Sequence, residues 1–274
     1  MNKLYKIILL SLLFFGISIS VNSAVIDHFM YLTDDLSKTV ESFKKLDKNL
    51  VIKYGSSSKN AYNALLLLKN GTYIELLEPS NYPNKKRVDF NRIAFNLKIG
   101  KHFGLYAFDT KGYSKNLVSD FNQTFGYMYP NYFQMSRLRA DNIKLNWSLT
   151  ASDSIKLPQL IADETDIKYR NFVDEYPEST RKVSLKSFYI ASYDIGKTKE
   201  MLSKLSNNKL KFSKKRISMQ YTQAFCAKDH GTDICVLAPT SNNSEIFKFL
   251  ANYGEGLYSF TLDDGIKILS TDKI

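Results

Sequence analysis

Apolar and polar positions recur in a fixed order along this chain. Residues 26–32 alternate, so that His28, Met30 and Leu32 share one face of a strand while Phe29 and Tyr31 share the other. Leu36, Val40, Phe43 and Leu46 then fall at helical spacing behind Asp34 and Asp35, two good N-caps, which predicts a helix over Leu36–Leu46. Strand-like runs follow at 51–54, 64–69 and 72–77, the last two joined by Asn70-Gly71, a favoured two-residue hairpin turn. The unit therefore reads β-α-β-β-β.

The same order returns. Residues 185–195 align without a gap on residues 26–36, with Asp194 as the N-cap of a helix whose stripe is Ile195, Leu202 and Leu205. Gly71-Thr72-Tyr73-Ile74-Glu75-Leu76-Leu77-Glu78-Pro79 matches Gly231-Thr232-Asp233-Ile234-Cys235-Val236-Leu237-Ala238-Pro239, so the copies share a hairpin as well. Between them, His102 to Asp109 repeats the spacing of His28 to Asp35; a helix with Leu117 and Phe121 follows, and strands are expected at 132–139, 143–151 and 155–161. Gly256-Leu257-Tyr258-Ser259-Phe260 echoes Gly104-Leu105-Tyr106-Ala107-Phe108 and opens a fourth, truncated unit. The polar stretch 162–181, with Pro177, reads as a linker. The expectation is an α+β protein with two βαβββ units over 24–163, a linker over 164–182, and a third unit plus an incomplete fourth over 183–274.

Composition narrows the class. With 44% hydrophobic residues among 274, disorder and collagen are excluded, and three His and two Cys exclude Cys-rich zinc modules. The net charge of +11 is scattered, the clusters Lys85-Lys86-Arg87 and Lys214-Lys215-Arg216 being too short for a basic helix, so no nucleic-acid partner is expected. Lys3 and Lys6 precede an uncharged apolar run over 7–21 that ends in Val21-Asn22-Ser23-Ala24, the pattern of a secretory signal peptide (1–23) cleaved after Ser23. Such a run is shorter than the ~20 residues that span a bilayer, and no later segment is a candidate span. Removing Lys3 and Lys6 leaves 36 basic against 27 acidic residues, still basic. A secreted or periplasmic location follows, in which a disulfide persists. If His230-Gly231 is a two-residue turn, Cys226 falls opposite Cys235 at a non-hydrogen-bonded position where a bridge can form. A buried pair of free thiols is the alternative.

Paired βαβββ units that open with Ile-Asp-His and close the first hairpin with Tyr-Ile-Glu-Leu-Leu-Glu-Pro resemble the vicinal oxygen chelate superfamily, in particular its glyoxalase-like branch. The resemblance implies a half-barrel sheet around a cleft, helices outside, and a divalent metal held by a His from the first strand and a Glu from the last strand of each unit. Carried over residue by residue, it places His28 and Glu75 as the metal ligands of unit one and His102 as that of unit two. Gln159 stands where unit two would have its Glu. Such donors suit Zn, Fe, Mn or Ni, and Glu75 is also the candidate catalytic carboxylate. A carboxylate among apolar neighbours is costly to bury unpaired, so Glu75 calls for a metal or a cationic partner.

Arg137 and Arg139 alternate along one expected strand and are candidates for binding a substrate carboxylate or phosphate, an exposed edge being the other reading. Glu78 reads as a solvated strand end, His230 as a turn residue, and Trp147 and Tyr106 as core aromatics. In the second half, Ser187 replaces His28 and Cys235 replaces Glu75. The expected function is that of a secreted, metal-dependent glyoxalase-like enzyme acting on a small oxygenated molecule as a lyase, isomerase or dioxygenase. A non-catalytic protein that binds a small ligand in the same cleft without metal is the alternative, and the residues leave open which it is.

Overall fold

The computed structural model describes residues 26–55, 61–79, 93, 95–111, 116–126, 128–139, 141–272 and 274; the signal-like residues 1–23 and Lys85-Lys86-Arg87 lie outside them. Unit one runs β1 (Ile26–Leu32), α1 (Leu36–Leu46), β2 (Val51–Tyr54), β3 (Ala61–Leu67) and β4 (Tyr73–Pro79). Unit two runs β5 (Phe103–Asp109), α2 (Leu117–Phe125), β6 (Phe133–Leu138), β7 (Lys144–Ala151) and β8 (Gln159–Asp163). Together they form an eight-stranded half-barrel sheet in the order β2-β3-β4-β1-β5-β8-β7-β6. Within each unit the first strand lies parallel to the last, and β1 meets β5 antiparallel at the centre.

After α3 (Ile167–Arg170), the second half runs β9 (Leu185–Ala191), α4 (Ile195–Leu205), β10 (Ser213–Lys215), β11 (Thr222–Asp229), β12 (Thr232–Pro239), α5 (Glu245–Tyr253), β13 (Gly256–Leu262) and β14 (Lys267–Leu269). Its sheet has the order β10-β11-β12-β9-β13-β14. The repeat extends to individual hydrogen bonds. Asp35 accepts from the Lys38 N–H and Asp194 from the Lys197 N–H, each at 2.9 Å, capping α1 and α4. Thr33 contacts Thr39 at 2.7 Å just as Ser192 contacts Thr198 at 2.8 Å.

Alternation explains how the halves join. Phe29 and Tyr106, on the faces of β1 and β5 turned away from the cleft, meet Phe188 of β9 at ring distances of 5.2 and 5.6 Å, and Phe103 meets Phe260 of β13 at 4.7 Å. One hydrophobic core thus spans both sheets and takes in Val40 and Phe43 of α1, Phe121 of α2 and Leu202 of α4. On the far face of the second sheet, Ile246, Phe249 and Leu250 of α5 pack over Ala191, Leu237 and the Cys226–Cys235 disulfide. The two cysteines pair in the expected hairpin register with Cα atoms 4.1 Å apart. His230 and Gly231, both at positive φ, make the two-residue turn.

Several expectations shift. The β3–β4 turn holds three residues rather than two: Leu68 N–H bonds to Thr72 O, and the Lys69 N–H goes instead to Val183 O. Strand β8 starts only at Gln159, after Pro158, whose missing N–H bars it from a ladder. Leu46 is 45% exposed and ends the α1 stripe early. The stretch expected as a linker is folded into the first half. It carries α3, buries Arg170, Asn171 and Arg181, and packs Phe172 against Leu65, Leu67 and Tyr73.

Candidate metal and ligand cleft

The hollow face of the first sheet collects His28 and Met30 from β1, Tyr73 and Glu75 from β4, Leu105, Ala107 and Asp109 from β5, and Gln159, Ile161 and Asp163 from β8. Register sets this directly, since His28 lies between Tyr73 and Ala107, and Ala107 between His28 and Gln159. His28 is 4% exposed, and its ring stacks on Tyr73 at 4.9 Å and 12°.

A register shift between Ile26 and His28 marks a bulge at Asp27. The Asp27 carboxylate bonds the His28 Nδ1 on one side and the Arg170 guanidinium on the other. Arg170 forks a second time onto Asp163, at 2.7 Å to each oxygen, and also reaches the Tyr73 hydroxyl. Burial alone would raise the Asp27 pKa, but Arg170 and the His28 hydrogen bond outweigh it and hold the carboxyl well below its usual range. For Arg170 burial acts downward, and the charges of Asp27, Tyr73 and Asp163 carry it well above its ordinary value. Asp27 is therefore a carboxylate, a fixed acceptor for Nδ1–H. In the neutral ring this leaves the Nε2 lone pair facing the cleft.

That Nε2 faces Glu75, whose Oε2 is 3.8 Å away. Asn63 Nδ2 donates to Glu75 Oε1 at 2.5 Å, and Arg137 lies 4.0 Å from the same oxygen. Gly55 makes this placement of Asn63 possible, because a Cβ there would lie 2.0 Å from Asn63 Oδ1. Two acceptors, an imidazole nitrogen and a carboxylate oxygen, thus confront each other beyond hydrogen-bond distance with room for one small cation between them.

His102 is not brought to this pair. It precedes β5, its Nδ1 lies 2.9 Å from Leu32 O, and it stacks on Tyr31, on the side of β1 away from the cleft. The equal His-to-Asp spacing misled because Asp109 is still inside β5 whereas Asp35 caps α1. Leu105, third residue of β5, stands where His28 stands in β1. His102→Ala is therefore expected to leave cation affinity within about twofold of wild type in equilibrium dialysis; a loss comparable to that of His28→Ala would return His102 to the site. Gln159 does occupy the equivalent of Glu75, paired to Ala107 as Glu75 is to Met30, and is 2% exposed.

Arg139 is a structural residue rather than a substrate group. The strand ends at Leu138, and the Arg139 guanidinium turns away to bond Asp141, Asp174, Glu175 and Tyr169 O. Those three acidic groups lie close enough together for a metal, but Arg139 already supplies their positive charge. Glu78 is no solvated strand end either: its Oε2 accepts the Leu36 N–H at 2.8 Å and helps start α1. Asp27, Asn63, Arg170 and Asp163 were not foreseen as site residues. The Asp-His pair at 27–28 was visible in sequence, whereas Arg170 carried no signal within a polar stretch.

Asp109 is set apart by its environment. Burial, followed by the nearby Asp27 charge, raises its pKa from 3.8 to about 7. Between about pH 4 and 7 the unfolded chain has lost this proton while the folded protein keeps it. This group's contribution therefore favours folding below pH 4, declines as pH rises toward 7 and is level above that. The three-unit difference caps the effect at about 4 kcal/mol. Asp109→Asn is expected to gain stability relative to wild type at pH 8 and not at pH 4 in urea titrations. An equal difference at both pH values would contradict the assignment.

Comparison with known proteins follows the same lines. The model of the glyoxalase-like domain family matches residues 26–206. Among curated proteins none matches the sequence. Among solved structures, a hypothetical protein from Staphylococcus aureus is 17% identical, with 86% of this chain and 90% of that one covered at a TM-score of 0.59. A variant of 4-hydroxymandelate synthase from Streptomyces coelicolor is 11% identical, with 87% and 70% covered at 0.53. These likenesses establish the fold, including that of the second half.

Proposed function

Because the chain belongs to the glyoxalase-like domain family of the vicinal oxygen chelate superfamily, we propose that its cleft binds a small oxygenated organic molecule beside a divalent metal held by His28 and Glu75. Members of the superfamily are metal-dependent enzymes that typically bind a divalent ion. The observation that carries the proposal is the 3.8 Å confrontation of His28 Nε2 with Glu75 Oε2, with Asp27 fixing the far side of the imidazole. A ligating histidine held by a carboxylate on its other nitrogen is the usual supporting arrangement of a metal site. Gln159, at the Glu75 position of the second unit, is the candidate third donor, a neutral and weaker one. Nitrogen and oxygen donors of this kind accept Zn(II), Fe(II), Mn(II) or Ni(II).

A bound ion supplies Lewis acidity to vicinal oxygens of the ligand. The protein's own groups do the rest: Asp27 and Tyr73 orient His28, Asn63 orients Glu75, and the apolar wall formed by Ala107, Leu149 and Ile161 limits water. Glu75 is the carboxylate placed to take a proton from the ligand in a lyase, isomerase or dioxygenase reaction. Equilibrium dialysis with Mn(II), Zn(II) and Ni(II) is the test. About one ion per chain, lost in both His28→Ala and Glu75→Ala, supports the proposal; no binding by the wild type rejects it.

Metal-free ligand binding is the second reading. Leu105 in place of a second histidine and the Arg137 charge near Glu75 favour it. Export through residues 1–23 belongs to the same proposal, and a mature N-terminus at Ala24 by mass spectrometry would support it.

A further inference from the structure

We infer that the cleft selects a small monocarboxylate with an apolar, planar body, and that Arg137 is the residue that recognises its carboxylate. The inference deepens the proposed function by naming a ligand class. It rests on the cleft's being a ligand site, not on the metal.

Arg137 lies on β6 with its side chain 17% exposed. Among the described residues its guanidinium makes no hydrogen bond: Glu75 Oε1, its salt-bridge neighbour, is 4.0 Å off, and Nε is buried without a partner. The three buried arginines among the described residues are saturated by contrast. Arg139 bonds three carboxylates and a carbonyl, Arg170 two carboxylates and a phenol, and Arg181 the carbonyls of Tyr176, Leu68 and Asn171. A buried Nε–H without an acceptor is costly, and the paired N–H groups of a guanidinium match a carboxylate in two parallel hydrogen bonds. Glu75 does not fill this role, since Asn63 takes its Oε1 and its Oε2 is turned to His28.

The surroundings define the rest of the ligand. The Trp147 ring lies 5.8 Å from the Arg137 guanidinium, and across the β6–β7 ladder Met135 pairs with Trp147 and Phe133 with Leu149. Phe133, Met135 and Trp147 are only partly buried and flank Ala107, Leu149 and Ile161 as an apolar wall. A planar apolar body lies along this wall when its carboxylate meets Arg137. With Arg139 and Arg170 already committed, Arg137 is, among the described residues of the cleft, the one guanidinium open to an anion, which favours a monocarboxylate over a dianionic phosphate ester.

Isothermal titration of the purified protein with phenylacetate, phenylacetamide, acetate and phenyl phosphate tests this, in EDTA and again with Mn(II). Phenylacetate is expected to bind at least about tenfold tighter than phenylacetamide or acetate, and Arg137→Gln to remove about tenfold of that affinity. Phenylacetamide or acetate binding equally well, phenyl phosphate binding more tightly, no probe binding at all, or Arg137→Gln matching wild type would each overturn the inference. Should Arg137→Gln fail to fold, Arg137→Lys keeps the charge and loses the fork; a loss of at least about threefold supports the role and unchanged affinity overturns it. Binding in EDTA that depends on Arg137 holds even where no metal binds, so failure of the metal reading and failure of this one are distinguishable.

Discussion

Arg170→Met is expected to destabilise the protein by at least about 3 kcal/mol, the largest single effect foreseen outside the hydrophobic core. Arg170 is 3% exposed and supplies the charge between two carboxylates, Asp27 and Asp163, which are 3% and 7% exposed. Removing it strands two buried anions side by side, whereas methionine keeps much of the side-chain volume. The consequence reaches the cleft. Without Arg170 the Asp27 carboxyl loses what holds its pKa down, protonates more readily and stops fixing the His28 tautomer. Urea titration reads the first effect, and cation affinity of the still-folded variant at low temperature reads the second, with a loss of about 10- to 100-fold. A variant as stable as wild type would mean that the guanidinium is not the keystone of this cluster.

Glu75→Ala carries the second large effect. The substitution removes the carboxylate that, among the described residues, faces His28 Nε2 across the cleft, and with it the acceptor of the Asn63 amide. Cation affinity is expected to fall at least about 100-fold, since a lone imidazole and a neutral amide from Gln159 hold a divalent ion poorly. Stability in the absence of metal should fall modestly, because the buried Asn63 amide loses its acceptor and Arg137 the carboxylate beside it. Dialysis and thermal melts with and without Mn(II) separate the two quantities. A Glu75→Ala variant that melts higher with Mn(II) by as much as wild type does would show that the ion sits elsewhere.

Much of this architecture was legible because the repeat carries it. Strand alternation at 26–32, the α1 and α4 helices with their Asp caps, and the Cys226 to Cys235 register all follow from local pattern, and local pattern is what a sequence records well. That His28 and Glu75 share one face of adjacent strands was legible for the same reason, each lying inside a strand whose register is set by a buried face. His102 failed because spacing to an aspartate is not register: β5 begins one residue later and runs through Asp109. Arg139 failed because the strand ends at Leu138, one residue beyond Arg137, so alternation no longer governs its direction. Arg170 was illegible in principle. Its partners Asp27, Tyr73 and Asp163 are 143, 97 and 7 residues away, and nothing in a polar stretch marks one arginine as the one that turns inward.

The second half repeats the strand and helix order of unit one but carries other side chains at the equivalent positions. Register places Ser187 and Cys235 at the positions of His28 and Glu75, and α5 covers the face on which a cleft would open. Its phenylalanines complete the core behind β1 and β5, so its contribution to the site is support of the strands that carry it.

Anomalous diffraction from a crystal soaked in Mn(II) tests the central claim most directly. The account predicts one strong peak between His28 Nε2 and Glu75 Oε2, near Gln159, that is absent from crystals of Glu75→Ala. A peak at Asp141, Asp174 and Glu175 instead, or none in the cleft at saturating Mn(II), would contradict it.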